Sequence, residues 1–330
     1  MTNLIKKNSK LIISFIVFEI IFIPLLAIGL IYYGPFVQVK EMLVTTAMTT
    51  MTQQYIAKLF LSNEEINTIL EKNKPNYDLG KQNLEHINID YNDNLNGVEL
   101  INISASTFKG KLLIIEDPSR VKLVMGKDIL KGGNTVSNIV KTNDAIAGIN
   151  AGGYIDDSTK EFMVPSGLIM EDGNIISGNT DLKYAVTGFN KQNKLIVSNS
   201  MDYNTLISEG VKDAVSFGPV IIQNGVPTIS SISDGGMGIQ PRTAIAQRKD
   251  GAILFLVIDG RTLNSLGATL KNVQDVLLEH GAYNAFNLDG GSTTTMVYNN
   301  EVINYPSDFG KENLVPCAFI VKKSPSNEVK

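Results

Sequence analysis

The sequence predicts a mixed α/β (α+β) protein in which one transmembrane helix precedes a β-rich globular domain. An apolar run near the N-terminus, residues 11–33, indicates the transmembrane helix. Short β-like runs separated by turns begin at residue 98 and indicate the globular domain. Strand, helix and strand patterns follow one another over residues 252–288, which predicts a β-α-β unit near the C-terminus.

The composition of the chain excludes several classes of protein. Its 330 residues, 43% of them hydrophobic, are enough for one large domain or two small ones. The formal net charge of −4 provides no basic surface for nucleic acid. Cys317 is the single cysteine, so there is no disulfide framework and no cysteine-based metal site. The two histidines, His86 and His280, lie in no motif, which argues against a histidine-rich zinc site and leaves few candidates for a Ser-His triad.

The apolar run has the length of a single bilayer crossing, about 20 residues. Lys6, Lys7 and Lys10 precede it, and no comparable basic cluster follows at once. The positive-inside rule then places the N-terminus in the cytoplasm and the chain after Tyr33 outside the cell, in the cell membrane as a single-pass protein. The alternative is a cleaved signal peptide, which the length of the run and the lack of a small-x-small cleavage site disfavour.

The remaining boundaries follow from changes in composition. We predict a cytoplasmic tail, the membrane anchor, a helical and polar connecting region, the globular domain and a C-terminal tail at residues 1–10, 11–33, 34–97, 98–322 and 323–330. In the connecting region, residues 55–61 are amphipathic and Ser62 is placed to cap a second helix. Residues 71–97 are rich in Asn, Lys, Asp and Glu, which is typical of an exposed connection or a poorly ordered insert.

The globular domain consists of a succession of predicted strands. Turn signals such as Asp172-Gly173 and Asn224-Gly225 separate them. Before the β-α-β unit, the strand patterns lie at 97–103, 111–115, 120–124, 145–149, 166–170, 184–189, 195–198 and 220–223.

The β-α-β unit is the segment that places chemistry-bearing residues together. Residues 252–258 form an apolar strand that is buried on both faces, and Thr269 then caps a helical pattern that Gly281 ends. A second short strand follows and ends at Asp289. If the two strands are parallel, the crossover is right-handed and both strands end on the same edge of the sheet. Asp259 and Asp289, which directly follow them, would then project near one another.

The run at residues 287–296, NLDGGSTTTM, is the strongest single motif. Glycines allow a sharp turn, and successive backbone N–H groups in such a turn form a concave anion site. Asp289 beside that turn supplies the carboxylate that hydrolysis of a phosphate-bearing substrate needs. The alternative is a tight turn with a capping aspartate. The substrate-binding candidates in this run are Gly290, Gly291, Ser292 and Thr293.

Two carboxylates and two guanidinium groups are the candidates for catalysis and phosphate binding. Asp259 and Asp289 are suited to act as base and acid, or as nucleophile and electrostatic stabiliser. Arg242 and Arg261 are suited to grip a phosphate or carboxylate with paired hydrogen bonds. The alternatives are turn-capping aspartates and surface ion pairs.

A second glycine-containing run, GINAGGY, ends the strand at 145–149. Asn150 is suited to hydrogen-bond a sugar hydroxyl or an oxyanion, and Tyr154 to stack on a sugar face. Gly152 and Gly153 allow close approach of a ligand to the backbone. The alternative is a structural β-bulge.

Two further glycine-rich turns lie at 216–220 and 234–238. We interpret the first as structural. The second lies close to Arg242 in the sequence and is suited to be a mobile rim loop, with Asp234 as a weaker candidate residue. Neither turn matches a P-loop or a dinucleotide-binding fingerprint.

Six motifs in this order resemble the phosphodiester glycosidase family, which includes a lysosomal enzyme that removes N-acetylglucosamine from phosphodiester-linked mannose 6-phosphate. Many bacterial members are connected with exopolysaccharide biosynthesis. The resemblance spans about residues 98–322, and several ordered motifs are more specific than one. The matching runs are GINAGGY at 148–154, SFGPVIIQNG at 216–225, PRTAIAQRKDG at 241–251, LVIDGR at 256–261, NLDGGSTTTM at 287–296 and YPSD at 305–308.

The resemblance implies hydrolysis of a sugar-1-phosphate diester at the anomeric carbon. It assigns no nucleophile or acid, so the roles come from the residues. Arg242 and the turn at 290–293 would neutralise the departing phosphate, Asp289 would stabilise or attack the oxocarbenium-like centre, and Asp259 would activate water. Some relatives carry three glycines where this chain has Gly290-Gly291-Ser292, a difference that bears on substrate choice.

We therefore expect a membrane-anchored extracellular phosphodiester glycosidase that acts on a cell-surface or exported polysaccharide. The alternatives are a non-enzymatic carbohydrate-binding or polymer-assembly protein, and a glycosyl or phosphoglycosyl transferase. The expected partners are a carbohydrate phosphodiester and the membrane, with no nucleic acid. No cofactor is predicted: aspartates are suited to hold a divalent ion, but no ligand spacing demands one.

Overall fold

A computed structural model provides the structure of the protein. It describes residues 2–50, 52–91, 97–126, 133–155 and 163–324, with side chains from residue 10 onward. The chain divides into two compact units, Met1–Lys72 and Asn73–Lys330. Most of the C-terminal tail predicted at 323–330 lies outside the described residues.

The first unit is helical. Its helices are α1 (Thr2–Tyr33), α2 (Val37–Met48), α3 (Tyr55–Lys58) and α4 (Asn63–Asn73). Within α1, the 24 residues Lys10–Tyr33 are long and apolar enough to cross a membrane.

A capping box begins α4, as the sequence predicts. The Ser62 backbone N–H donates to Glu65 Oε2 at 2.8 Å, and the Glu65 N–H donates to Ser62 Oγ at 3.2 Å. Side chains from all four helices and their connections pack into a small apolar cluster. Its buried members are Tyr32, Val44, Ala47, Ala57, Leu61, Ile66 and Ile69.

The second unit is rich in strands, which confirms the predicted mixed α/β class. Its helices are α5 (Val136–Thr142), α6 (Tyr203–Ser208) and α7 (Leu270–Glu279). Its strands are β1 (Val98–Ser104), β2 (Lys109–Ile115), β3 (Val121–Met125), β4 (Ala145–Asn150), β5 (Tyr154–Ile155), β6 (Val164–Pro165), β7 (Ile169–Glu171), β8 (Asn174–Ser177), β9 (Tyr184–Asn190), β10 (Leu195–Met201), β11 (Val211–Ser216), β12 (Val220–Gln223), β13 (Val226–Pro227), β14 (Arg242–Arg248), β15 (Ile253–Ile258), β16 (Ala282–Asn287), β17 (Met296–Tyr298), β18 (Glu301–Val302) and β19 (Cys317–Lys322).

Three large sheets form the second unit. The first has the strand order β1-β2-β15-β14-β16-β12-β13, the second β10-β9-β11-β7-β8, and the third β18-β17-β4-β19-β3. A short pair, β5 and β6, stands apart from them. The strands that follow Val98 are divided between two sheets: β1 and β2 belong to the first sheet, and β3 belongs to the third.

One apolar core joins the three sheets. The ring of Phe319, on β19, lies 6.0 Å from that of Phe189 on β9 and 6.5 Å from that of Phe255 on β15, measured between centroids. Each sheet therefore contributes a buried aromatic ring to the same cluster, and burial of such large side chains provides much of the folding free energy.

A helix covers the other side of each sheet. Leu270, Val273 and Leu277 of α7 pack with the first sheet. Val136 and Ile139 of α5 pack with the third sheet, and α6 packs with the second. The sheets are thus buried on both faces along much of their length, which explains the nearly continuous apolar sequence of strands such as β15.

The β-α-β unit has parallel strands, with an extra strand between them. β14 pairs antiparallel with both β15 and β16, so β15 and β16 run in the same direction and end at the same edge of the first sheet. The sequence alone does not show that β14, which precedes β15, lies between them. As predicted, Thr269 caps α7 and Gly281 follows it with φ of +82°.

Residues 74–91, here called the strap, are largely exposed, as their composition indicates, but hydrogen bonds tie them to the second unit. The Asn76 N–H donates to the Thr228 carbonyl and the Asn88 N–H to the Lys249 carbonyl, both at 2.8 Å. Gln82 exchanges two hydrogen bonds with the backbone of β10, at 2.9 and 3.0 Å. Backbone groups of the strap and the Gln82 side chain thus hold it along the second unit, while most of its other side chains stay exposed.

We predict that replacing Thr269 by Ala destabilises the protein by about 1 kcal/mol, within a range of about 0.5–2 kcal/mol. Thr269 Oγ1 accepts the Asn272 N–H at 3.2 Å, and the Asn272 side chain returns a bond to the Thr269 N–H at 3.0 Å. Urea unfolding of the full chain in mild detergent measures the change. Thr142→Ala, at the exposed end of α5, is the control, and equal effects of the two substitutions would contradict the prediction.

Candidate active site

The candidate site lies where the first and third sheets meet, at the ends of β16 and β4. The Leu288 N–H donates to the Thr243 carbonyl on β14 at 2.9 Å. The next residue, Asp289, donates its N–H to the Ala151 carbonyl after β4 at 3.1 Å. The turn that carries the catalytic candidate is therefore held by both sheets.

The Asp289 carboxyl is partly buried and has defined partners. Its Oδ1 accepts the Gly290 N–H at 3.0 Å, and its Oδ2 accepts the Thr293 hydroxyl at 2.8 Å. Burial raises the pKa of Asp289 to about 6, although these two hydrogen bonds act in the opposite direction. A carboxyl with this pKa exchanges a proton near neutral pH, as general acids and bases do.

The Asp259 carboxyl is held by a different loop. Its Oδ1 accepts the Tyr305 N–H at 2.9 Å and the Asn304 side-chain amide at 3.1 Å. Burial raises the pKa of Asp259, and the two hydrogen bonds and the charge of Lys111 oppose that rise. Its backbone carbonyl accepts the Ser265 hydroxyl at 2.6 Å, which fixes the turn that follows β15.

Asn304 connects the surroundings of the two carboxyls. Its amide also donates to the Thr294 carbonyl at 3.1 Å, next to the threonine that binds Asp289. β14 separates the strands that precede Asp259 and Asp289, which places their backbones about 10 Å apart at the usual strand spacing. The two carboxyls thus share one edge of the sheet, and Pro241, directly before β14, lies against the glycines that follow both aspartates.

Asn150 is predicted from the sequence to contact a sugar, but the structure places it in the interior. Its side chain has 0% exposure. The amide donates to the Asp289 carbonyl at 2.6 Å, and its oxygen accepts the Thr243 hydroxyl at 2.8 Å and the Thr295 N–H at 3.1 Å. Because these bonds occupy the buried amide, Asn150 positions the loop that carries Asp289 and does not present itself to a ligand.

The glycines after Asn150 permit close packing around Asp289. A Cβ on Gly153 would lie 3.1 Å from the ring of Phe217 and 3.8 Å from the Asp289 carboxyl carbon. The Gly152 N–H points at Cys317 Sγ, 3.3 Å away. Tyr154 begins β5 and is partly exposed. Sugar contacts by these three residues of the GINAGGY run stay predictions.

Arg242 is buried in this structure, with 3% exposure. Its guanidinium donates to the Ala268 carbonyl at 3.0 Å, to the Met237 carbonyl at 2.8 Å and to the Gly238 carbonyl. Burial lowers the pKa of Arg242 to about 10, so it keeps its charge at neutral pH. The structure shows a cation that fixes the 234–238 turn from behind the site, and its predicted phosphate contact stays a prediction.

Arg261 is the exposed cation at the motif. Its Nη2 donates to Gln240 Oε1 at 2.7 Å. A Cβ on Gly291 would lie 3.4 Å from the same Nη2, so the guanidinium covers that glycine. The backbone of Arg261 has φ of +59°, which is uncommon for a residue other than glycine and often marks a functional turn.

The turn after Asp289 is compact because of its glycines. A Cβ on Gly290 would lie 2.7 Å from the Pro241 carbonyl oxygen, so a larger residue does not fit. Gly291–Thr293 form a short 3-10 turn, and the Gly291 N–H donates to the Pro241 carbonyl at 3.0 Å. Ser292 is partly exposed, whereas Thr293 is buried against Asp289.

The remaining glycine-rich turns lie beside these groups. Asp234 Oδ1 accepts the Gly236 N–H at 2.7 Å and the 234–238 turn also binds Arg242, so hydrogen bonds hold the turn that the sequence suggests is mobile. Phe217, in the turn interpreted as structural, reaches Gly153. Among the residues that the structure describes, no group of three or more His, Cys, Asp or Glu is arranged to hold a metal ion.

Three residues at this site are not among the functional candidates that the sequence predicts: Gln240, Asn304 and Phe217. Gln240 orients Arg261, and Asn304 connects Asp259 to the loop after Asp289. Gln240 directly precedes the run at 241–251 and Asn304 directly precedes the run at 305–308, so proximity to those motifs is the signal that would have found them.

The comparison with known families identifies the chain. The model of the family described as phosphodiester glycosidase matches residues 143–322, more than half of the 330 residues. The protein therefore belongs to the phosphodiester glycosidase family, which confirms the resemblance that its motifs indicate.

Three curated proteins are similar to this chain, at 26–37% sequence identity. An SPbeta prophage-derived uncharacterized protein, YomE, of Bacillus subtilis is 28% identical over 53% of this chain and 27% of its own. The human N-acetylglucosamine-1-phosphodiester alpha-N-acetylglucosaminidase is 26% identical over 56% of this chain and 38% of its own. The bovine protein of that name is 37% identical over 24% of this chain and 15% of its own. The chain thus spans less than two fifths of the length of these relatives.

Two solved structures share the fold. The zebrafish N-acetylglucosamine-1-phosphodiester alpha-N-acetylglucosaminidase catalytic domain, auto-inhibited by its pro-peptide, superimposes with a TM-score of 0.60 at 19% identity, over 72% of this chain and 87% of that one. A hypothetical protein from Synechocystis gives a TM-score of 0.52 at 16% identity, over 68% and 61% of the two chains. At these identities, both comparisons concern the fold alone.

We predict that Asp289→Asn stabilises the protein at pH 7.5 by on the order of 1–3 kcal/mol. The folded pKa lies near 6, above that of an unfolded aspartate, so ionisation opposes folding at neutral pH. Below about pH 4 both states hold the proton, and the gain should disappear. Thermal unfolding of the full chain in mild detergent at pH 7.5 and at pH 4 measures this change in stability.

Asp275→Asn, on the exposed side of α7, is the matched control for this stability measurement. A stabilisation by Asp289→Asn that is equal at pH 4 and pH 7.5 would contradict the burial of an ionisable carboxyl at this position.

Proposed function

We propose that the protein is a membrane-anchored extracellular hydrolase that cleaves a sugar-1-phosphodiester bond in a cell-surface or exported polysaccharide. The products are a free sugar and a phosphomonoester. The observation that carries the proposal is the Asp289 carboxyl with its raised pKa, one residue before a glycine turn that an exposed arginine covers, within a phosphodiester glycosidase domain.

The proposed reaction breaks the bond between the anomeric carbon and the phosphate oxygen. The phosphate leaves with the bonding electrons, and a sugar cation develops beside the Asp289 carboxylate, which stabilises it. Asp259 accepts a proton from water, and the water oxygen bonds to the anomeric carbon. The position of β14 between β15 and β16 supports this division of roles, because a carboxyl that activates water stands farther from its partner than one that forms a covalent intermediate with it.

Neutralisation of the departing phosphate is the second requirement of the proposed reaction. A phosphate is already a good leaving group, so charge stabilisation contributes more than proton donation. We assign this role to Arg261, whose guanidinium is exposed and covers Gly291. Arg242 supports it indirectly, since its hydrogen bonds fix the neighbouring 234–238 turn.

The proposed location rests on α1. Lys10–Tyr33 has the length and composition of a membrane-crossing helix, and lysines precede it. The positive-inside rule then places the second unit outside the cell, where polysaccharide phosphodiesters of the surface are accessible.

Hydrolysis assays of the full chain in mild detergent test the function. The probes are the methyl diester of N-acetylglucosamine 1-phosphate and phosphodiester-containing capsular or wall polymers. In oxygen-18 water we expect the label in the released sugar, since the carbon–oxygen bond breaks. Label in the phosphate, transfer of sugar to an added acceptor without hydrolysis, or binding without release would each refute the proposed hydrolase.

We predict that Asp289→Asn lowers kcat by a factor on the order of 1,000, and Arg261→Ala by a factor of about 100. Both remove charge that the transition state needs and the ground state does not. Arg248→Ala is the matched control, because Arg248 lies at the other end of β14 and pairs with Asp250. Near-full activity of both site variants in a folded protein would refute the assignments.

The pH dependence of the reaction follows from the same carboxyl. We predict that kcat/KM rises with pH through about 6 and then levels off, because Asp289 acts as a carboxylate. Thr293→Val should move this rise to higher pH, since it removes a hydrogen bond that stabilises the carboxylate. Thr293→Ser keeps the hydroxyl and is the control. A rate that falls above pH 6 would show that Asp289 acts as an acid.

A further inference from the structure

A cavity of about 680 Å³ lies in the second unit beside the candidate active site. This volume is within the range of small-molecule sites, about 300–1,000 Å³. Its walls come from the strap at residues 77–80, from β10 and β12, and from the turn at 217–219. Nothing in the proposed reaction uses it.

The cavity adjoins Asp289 through the side chain of Phe217. The Phe217 ring lines the cavity and also faces Gly153, which in turn lies next to the Asp289 carboxyl. Met237, whose carbonyl binds Arg242, lies in the wall as well. Phe217 therefore borders both the cavity and the surroundings of Asp289.

The lining has the chemistry of a carbohydrate site. Tyr77 and Phe217 provide aromatic surfaces, which are 53% and 37% exposed to solvent. The polar groups are hydroxyls and amides, which donate to and accept from sugar hydroxyls. Among the described residues of the wall, Asp78 is the one charged side chain, so the lining favours a neutral ligand over a charged one.

One amide in the wall has an unused donor. Asn199 Oδ1 accepts the Val220 N–H at 2.8 Å, whereas its Nδ2 is buried and has no hydrogen-bond partner among the described residues. Buried donors without partners are rare in folded proteins and often mark a position that a ligand or water completes. Because the Nδ2 atom itself is buried, a sugar hydroxyl reaches it only if the Asn199 side chain turns toward the cavity.

The wall is held in place before any ligand binds. Gln223 Nε2 donates to the carbonyls of Leu79 and Gly80 at 3.2 and 3.1 Å, which ties the strap to β12. A site that is already formed loses less conformational entropy on binding.

We propose that this cavity is a subsite for neutral sugar residues of the polysaccharide adjacent to the cleaved phosphodiester. This inference rests on the proposed function, and it specifies an oligosaccharide as the ligand, longer than the single sugar at Asp289. Tyr77 and Phe217 pack against sugar rings.

Calorimetric titration of the full chain in mild detergent tests the subsite independently of hydrolysis. The probes are chitotriose, maltotriose and cellotriose, each compared with its monosaccharide. We expect saturable binding of at least one trisaccharide, tighter than that of the monosaccharide by a factor of about 10 or more.

Two variants locate the binding in the cavity. Ser200→Trp fills the cavity with an indole, and Tyr77→Ala removes an aromatic wall; each should weaken trisaccharide binding about 10-fold or more. Ser208→Trp, at an exposed position on α6 outside the cavity, is the matched control and should bind as the parent protein does. Thermal unfolding verifies that each variant is folded.

The outcomes separate the two proposals. Binding that both cavity variants weaken supports the subsite even if no phosphodiester is hydrolysed, in which case the proposed function alone fails. Absence of binding by every trisaccharide overturns the subsite, as does binding that Ser200→Trp and Tyr77→Ala leave unchanged, whatever the hydrolysis assays show.

Discussion

The buried amide of Asn150 is the interaction on which the site depends. It joins the end of β4 in the third sheet to Thr243 in the first sheet and to the backbone on both sides of the Asp289 turn. A buried amide without these partners would cost on the order of 1–3 kcal/mol, so the two sheets and the turn are fixed as one assembly. The position of the catalytic candidate is thus a consequence of how the sheets meet.

The same packing determines the electrostatics of the site. Convergence of two sheets removes water from Asp289 and raises its pKa to about 6, while Thr293 and Gly290 limit the rise. Arg242 is buried and donates its hydrogen bonds to backbone carbonyl groups, whereas Arg261 is exposed and lies over Gly291. Two arginines of equal chemistry therefore differ in burial: Arg242 supports the 234–238 turn, and Arg261 is exposed to solvent.

The substrate side of the proposed enzyme follows from the strap. Residues 74–91 form no regular element, yet their amides and backbone groups bind β10, β12 and nearby loops. This docking makes one wall of the cavity next to Phe217. A segment whose composition is that of a solvated linker is thereby held in place, because some of its backbone and amide groups bind the strands beside it.

The class of the fold, the capped helix α7, the strands that precede Asp259 and Asp289, and the family could all be predicted from the sequence. These features depend on local patterns: apolar runs, a capping threonine, and glycines in a fixed order. The folded structure was needed to show that β14 lies between those strands, that Asn150 and Arg242 are buried, and that Asn304 connects the two carboxyl loops. Strand order and depth of burial arise from contacts between residues far apart in the chain, and no local pattern encodes them.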